Sequence, residues 1–181
     1  MSRAAKPRPA RGRRTFLAVA VLAGGALAGA GPASAEGATG PSAPPCSHSR
    51  LVANSAERVG ADGVRIVVIN EGPGPCVLEG HPTLALAGQG SPDRNRPLSV
   101  VRQGAARPVR LGVGGAAETR VSFTPVLGEA GGYCASGAEP FVAPSTVVGI
   151  AGGHLQLGPD DGGAFALCGT TVRATAFRAA S

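Results

Sequence analysis

The sequence predicts an all-β protein built as an antiparallel β-sandwich. Three observations predict it. About nine short runs are apolar throughout or alternate apolar with polar, as strands buried on two faces or on one do. Turn residues punctuate those runs, with 29 Gly and 16 Pro in the chain. No stretch combines the length and the roughly 3.6-residue period of an amphipathic helix.

The first segment is read as an export signal and kept out of the fold. Residues 1–14 hold six cations, Arg3, Lys6, Arg8, Arg11, Arg13 and Arg14, and no acid. The apolar, small-residue run Phe16–Ala30 follows, then Pro32-Ala33-Ser34-Ala35. A basic start, a short apolar run and an Ala-x-Ala site make residues 1–35 a secretory signal peptide. Arg13-Arg14-Thr15-Phe16-Leu17 is similar to a twin-arginine signal, and an ordinary general-secretory signal reads equally well. The apolar run is too short and glycine-rich for a membrane span, which needs about 20 apolar residues. No cysteine follows the cleavage site, so a lipidated N-terminus is not expected. The expected location is secreted or extracytoplasmic.

Loss of that segment changes the charge. The chain has 17 Lys+Arg and 11 Asp+Glu. The six cations leave with the signal and all the acids remain, so the rest is formally neutral with His uncharged. It has no lysine, and its arginines read as scattered, which argues against nucleic acid as a partner.

Residues 36–45, rich in Gly, Ala and Pro, are expected as a flexible leader, and residues 46–178 as one β-sandwich domain. Arg50–Glu57 is expected as a strand and Gly60–Gly63 as a turn. Val64–Ile69 is almost wholly β-branched, and its length and flanking turns favour a largely buried strand. Glu71–Pro75 is a corner. Thr83–Ala87 is a strand with Leu84 and Leu86 on one face, and Gly88–Pro97 is a polar loop. Leu98–Val101 is a short strand. Val109, Leu111 and Val113 alternate with Arg110 and Gly112, giving a half-buried strand before a turn at Gly114-Gly115. In Glu118–Thr124, Thr119, Val121 and Phe123 face one way; Glu118, Arg120 and Ser122 face the other. Pro125–Glu139 is an irregular connection. Phe141–Ile150 is a strand interrupted by Pro144, and Gly149–Gly153 turns into the short strand His154–Leu157. After the turn Gly158–Gly163, Phe165–Cys168 and Thr170–Phe177 complete the sheet.

Four cysteines in a short exported chain point to two disulfides. Without a Cys-x-x-Cys pair, Cys46, Cys76, Cys134 and Cys168 do not have zinc spacing. Three connectivities are open. Hairpin register favours one, because numbers of paired antiparallel residues sum to a constant. The midpoint of Cys46 and Cys76 is Ala61, inside the Gly60–Gly63 turn. The midpoint of Cys134 and Cys168 is Ala151, inside Gly149–Gly153, although the turn at Gly158–Gly163 interrupts the partner strand. That second bond follows mainly by elimination.

Asn70-Glu-Gly-Pro-Gly-Pro-Cys76-Val-Leu78-Glu-Gly80-His-Pro82 resembles the Asn-x-Gly-x-x-x-Cys-x-Leu-x-Gly-x-Pro core of domain-of-unknown-function family 4232, found in secreted and lipid-anchored actinobacterial proteins. Val109–Ala116, before Glu118–Phe123, is similar to that family's Leu-x-Pro-Gly-like turn, with Val113 where proline is common. Cys168 followed by Thr170–Phe177 is a third, weaker likeness. The resemblance spans about Cys46–Phe177. It implies an extracytoplasmic, immunoglobulin-like β-sandwich with disulfides, and no known reaction.

Residues that could carry chemistry are few. His48 lies just past Cys46, and Glu79 and His81 just past Cys76, so that disulfide would draw them toward one end of the domain. They are weak metal-ligand candidates, since a site needs three or four ligands. No metal or other cofactor is expected. Copper of the blue type is excluded by the lack of methionine after the signal and the commitment of the cysteines. Asp160-Asp161 sits in a Gly-Pro-Asp-Asp-Gly-Gly turn without the EF-hand spacing. No nucleophile elbow, zincin motif or phosphate loop is present. Sugar platforms are poor, with no Trp and one Tyr.

The reading is a non-enzymatic binding or structural module at or outside the cell envelope. Its partner would be a protein, a wall polymer or a small ligand, met through the loops Gly88–Pro97 and Pro125–Glu139. The competing reading is a small secreted hydrolase or metal-binding protein using His48, His81 or His154.

Overall fold

The computed structural model describes residues 42–128 and 132–181. The expected signal, residues 36–41 of the leader and residues 129–131 of the Pro125–Glu139 connection lie outside the described residues. Among the described residues the protein is all-β, with one 3-10 turn at His48–Arg50. No helix among them is long and apolar enough to cross a membrane.

Strands β1 (Leu51–Val52) and β2 (Ala56–Arg58) both pair antiparallel with β3 (Gly63–Asn70). The expected strand Arg50–Glu57 is thus two short ones with a slip between them. Ala56, Glu57 and Arg58 oppose Ile66, Arg65 and Val64, but Leu51 and Val52 oppose Asn70 and Ile69, one residue out of that register. β3 pairs with β9 (Ala116–Pro125), and β9 with β13 (Phe165–Thr175). β10 (Pro140–Ala143) extends this sheet beyond β13. β14 (Arg178–Ala179) adds to β9. β7 (Ser99–Gln103) lies parallel to the second half of β13, the departure from the expected antiparallel pairing.

A second sheet has the order β12 (Gly153–Leu157), β11 (Ser145–Ile150), β5 (Thr83–Ala87), β6 (Asn95–Pro97). β4 (Cys76–Leu78) and β8 (Val109–Leu111) form a two-stranded ladder. Two segments depart from their reading in the sequence. The expected loop Gly88–Pro97 ends in β6, a hairpin partner of β5, and the chain then crosses at Leu98 to β7. Phe141–Ile150 splits at Pro144, with β10 in one sheet and β11 in the other. A proline has no N–H for a ladder, so it suits the point where the chain leaves one. The expected pair Phe165–Cys168 and Thr170–Phe177 is one strand, β13, with an irregularity between Leu167 and Val172 where Gly169 has φ 78°.

One core cluster draws on both large sheets. Val64, Ile66 and Val68 of β3, Val121 and Phe123 of β9 and Val172 and Ala174 of β13 join Leu84 and Leu86 of β5, Val148 and Ile150 of β11 and Leu157 of β12. Alternation explains the choice. In β9, Ala117, Thr119, Val121 and Phe123 are buried while Arg120 and Thr124 are exposed. On the other face of β5, Ala85 and Ala87 pack with Val147 as a small separate cluster.

Both disulfides, Cys46–Cys76 and Cys134–Cys168, are present. The hairpin used to pair Cys46 with Cys76 exists, but the bond lies outside its ladder. β3 ends at Asn70, the chain turns, and Cys76 starts β4. Cys46 reaches it through a parallel bridge of Pro45 with Val77, in which Cys46 N–H donates to Val77 O and Val77 N–H to Pro44 O. The last residues of the expected leader are therefore paired. The turn at Ala151 likewise makes a hairpin, β11–β12, but in the other sheet. Cys168 sits on β13 opposite Pro140 of β10. Strand adjacency, not that hairpin, places the second bond.

Candidate functional site

Asn70 shows how the fold prepares the region. Its side chain is fully buried at the end of β3. Nδ2 donates to the carbonyls of Gly74, Leu111 and Gly112 at 3.0, 3.2 and 3.0 Å, and Oδ1 accepts from Gly72 N–H at 3.0 Å. The backbone of Asn70 also meets Gly115 O and Gly114 N–H. One residue thus ties the Glu71–Pro75 corner to the end of β8, and β8 is one wall of a groove.

The groove has a volume of about 590 Å³ and opens to solvent. It runs between the segment from Gln103 to Arg110 and the segment from Thr175 to Ala179. Pro108, Val109 and Phe177 give it apolar lining; Arg107, Arg110 and Arg178 bring three guanidiniums. Phe177 is only 3% exposed, and its N–H donates to Gly80 O. No acidic residue lines the groove among the described residues.

Arg178 is held from behind. Its Nε and Nη2 donate to Glu118 Oε1 at 2.9 and 2.5 Å. Arg65 Nη1 donates to Glu118 Oε2 at 3.3 Å, and Arg65 also binds Glu57. Glu118 is 2% exposed, although β9 alternation turns it away from the core. β14 causes this, because Arg178 stands directly opposite Glu118 in the ladder. Burial pushes the Glu118 carboxyl up, but the hydrogen bonds and charges of Arg178 and Arg65 outweigh it and hold it below its ordinary value. The chain Glu57–Arg65–Glu118–Arg178 is formally neutral. Arg107 and Arg110 make no ion pair among the described residues.

The histidines go elsewhere. His48 is exposed; its ring covers Gly153 so closely that a Cβ there would lie 2.1 Å from His48 Cγ. His81 Nε2 is 3.2 Å from Gln103 O, at the rim of the groove. Glu79 and His154 are exposed. Among the described residues no three His, Cys, Asp or Glu side chains come together as a metal site. Asp160 and Asp161 clamp a turn: Asp160 Oδ1 accepts from Arg58 N–H, and Asp161 accepts from Gly163 N–H and from Arg58 Nε. The Gly163 amide, then the Arg58 side chain, hold the Asp161 carboxyl below its ordinary value.

Sequence reasoning missed the groove by treating the arginines as scattered. The signal was there: Arg94, Arg96, Arg102, Arg107 and Arg110 follow one another with no acid between Asp93 and Glu118. The contribution of Arg178, far along the chain, becomes visible only once β14 is placed.

No curated protein matches the chain, and no solved structure does. The family model described as Domain of unknown function (DUF4232) matches residues 46–178, from the first cysteine to Arg178 of the groove, and the chain belongs to that family.

Proposed function

We propose that the protein is an exported, disulfide-stabilised module that binds a ligand at or outside the cell envelope and performs no chemistry of its own. The observation that carries the reading is the groove, an open concavity with apolar lining and two arginines, Arg107 and Arg110, that make no ion pair among the described residues. The signal-like residues 1–35 and the two disulfides favour an oxidising location beyond the membrane. Residues 46–178 would form the binding domain as an immunoglobulin-like sandwich. A single core filled from both large sheets speaks for that architecture.

The test has two parts. Fractionation of producing cells should find the chain outside the cytoplasm, cleaved after Ala35. Immobilised protein should retain a component of a cell-envelope extract, identified by mass spectrometry, and a groove-blocked variant, Val109→Trp, should not. Cytoplasmic retention, or equal capture by the blocked variant, would overturn the proposal. So would turnover in a hydrolase screen that disappears in a His48, His81 or His154 to Ala variant.

A further inference from the structure

We infer that the groove is an anion site, taking a phosphate or carboxylate group between Arg107 and Arg110 with Arg178 as the third guanidinium. The inference rests on the binding role proposed above and names the chemistry of its ligand.

Three observations carry it. The first is segregation of charge. Apart from the signal-like segment the chain is formally neutral, yet five arginines and no acid lie between Arg94 and Arg110, and two of them line the groove. Neither makes an ion pair among the described residues, and like charges on one groove favour a ligand of opposite sign. The second is the lining. Pro108 and Val109 line the groove together with the arginines, and the buried Phe177 backs it. An apolar surface lowers the local dielectric and strengthens attraction to a bound anion. A planar guanidinium also suits the two-oxygen edge of a carboxylate or phosphate.

The third observation is the hold on Arg178. Two of its nitrogens are on Glu118 Oε1, so the side chain is fixed before any ligand arrives. Nη1 is free of hydrogen bonds among the described residues and remains to donate. The Glu118 carboxylate does not repel the ligand, because Arg65 and Arg178 compensate it and the chain of four ends at Glu57. Arg178 is therefore a positioned donor, while Arg107 and Arg110 supply the net positive charge.

The experiment uses the oxidised protein at low ionic strength. Inorganic phosphate and, separately, acetate are titrated to about 20 mM, well past the millimolar range in which a few contacts to a small ion hold. Backbone amide shifts are followed by NMR. Saturable shifts confined to Gly104–Arg110 and Ala176–Ala179 are expected, with the stronger of the two probes identifying the class. The double variant Arg107→Gln/Arg110→Gln should weaken that binding at least ten-fold, and Arg173→Gln, an exposed arginine outside the groove lining, should leave it unchanged. These side chains are exposed, and the same spectra report that each variant is folded. Absence of saturable groove shifts with both probes would overturn the inference, as would shifts insensitive to the double variant. Capture of an envelope component that survives the double variant but not Val109→Trp would refute the anion site and leave the binding module standing. Phosphate binding without any envelope capture would do the reverse.

Discussion

Arg178 holds Glu118 with two hydrogen bonds to one oxygen, and by doing so buries a carboxylate that its strand turns away from the core. β9 carries Glu118 on its outward side; β14, two residues long, supplies the cover. Half of the Arg178 side chain stays in solvent, at 56% exposure, so the pair is neither a surface bridge nor a fully buried one. Removing the carboxylate should therefore cost less than a buried charge would. Glu118→Gln is expected to lose about 1–2 kcal/mol in urea unfolding at neutral pH. A loss below about 0.3 kcal/mol would mean that the array only decorates the sheet.

The same residue sets a pH dependence. The folded Glu118 carboxyl is held below its ordinary value, so its charged form favours the folded state. That stability is fully present above the unfolded value of about 4.3 and is lost as pH falls through the lower folded value. The gap between the native protein and Glu118→Gln should be constant from pH 7 to about 5 and narrow below about 4. Unfolding curves at several pH values check it, and a gap that widens in acid would contradict the assignment.

Asn70 satisfies three carbonyls and an amide in the core-side corner. Truncation strands the Leu111 carbonyl and the Gly72 amide, whose hydrogen bonds to Asn70 are buried. Asn70→Ala should cost about 3 kcal/mol. Asn70→Asp should be no better, because a carboxylate cannot donate to Gly74, Leu111 or Gly112. Chemical denaturation measures both, and retention of native stability in either would discount the hub.

The β11–β12 turn places Ala151 at φ 49° and Gly152 at φ 78°, a two-residue hairpin with both φ positive. Such a turn favours Asn-Gly, and an alanine there is strained by about 1 kcal/mol. Ala151→Asn should raise stability by about 0.5–1 kcal/mol and the midpoint of thermal unfolding by roughly 2–4 °C. Calorimetry checks this. A lower midpoint would show that contacts of the alanine methyl outweigh backbone strain.

The disulfides close loops of similar length, with sequence separations of 30 and 34. Chain entropy then predicts a similar loss, about 3.5 kcal/mol, for paired Cys→Ala replacement at either. Non-reducing peptide mapping should recover Cys46 linked to Cys76 and Cys134 linked to Cys168. Any Cys46–Cys134 or Cys46–Cys168 peptide would refute the connectivity.

Short-range information sufficed for much of this protein. The β-branched run Val64–Ile69, the alternation in Glu118–Thr124 and the strand Thr83–Ala87 are legible because period and β-branching act within a few residues. The all-β class and family membership follow from the same local signals. What only the tertiary structure decided depends on which strands become neighbours. β7 runs parallel beside β13, Pro144 divides one apolar run between two sheets, and Cys46 meets Cys76 across a parallel bridge rather than a hairpin ladder. Apart from the break that Pro144 itself marks, none of these has a local signature, because each is set by burial shared between distant segments. The groove is of that kind. Arg107 and Arg110 are close in sequence, but Arg178 joins them only after β14 docks on β9 and Glu118 takes hold of it. Charge is written residue by residue in the chain, whereas the surface on which it gathers is a property of packing.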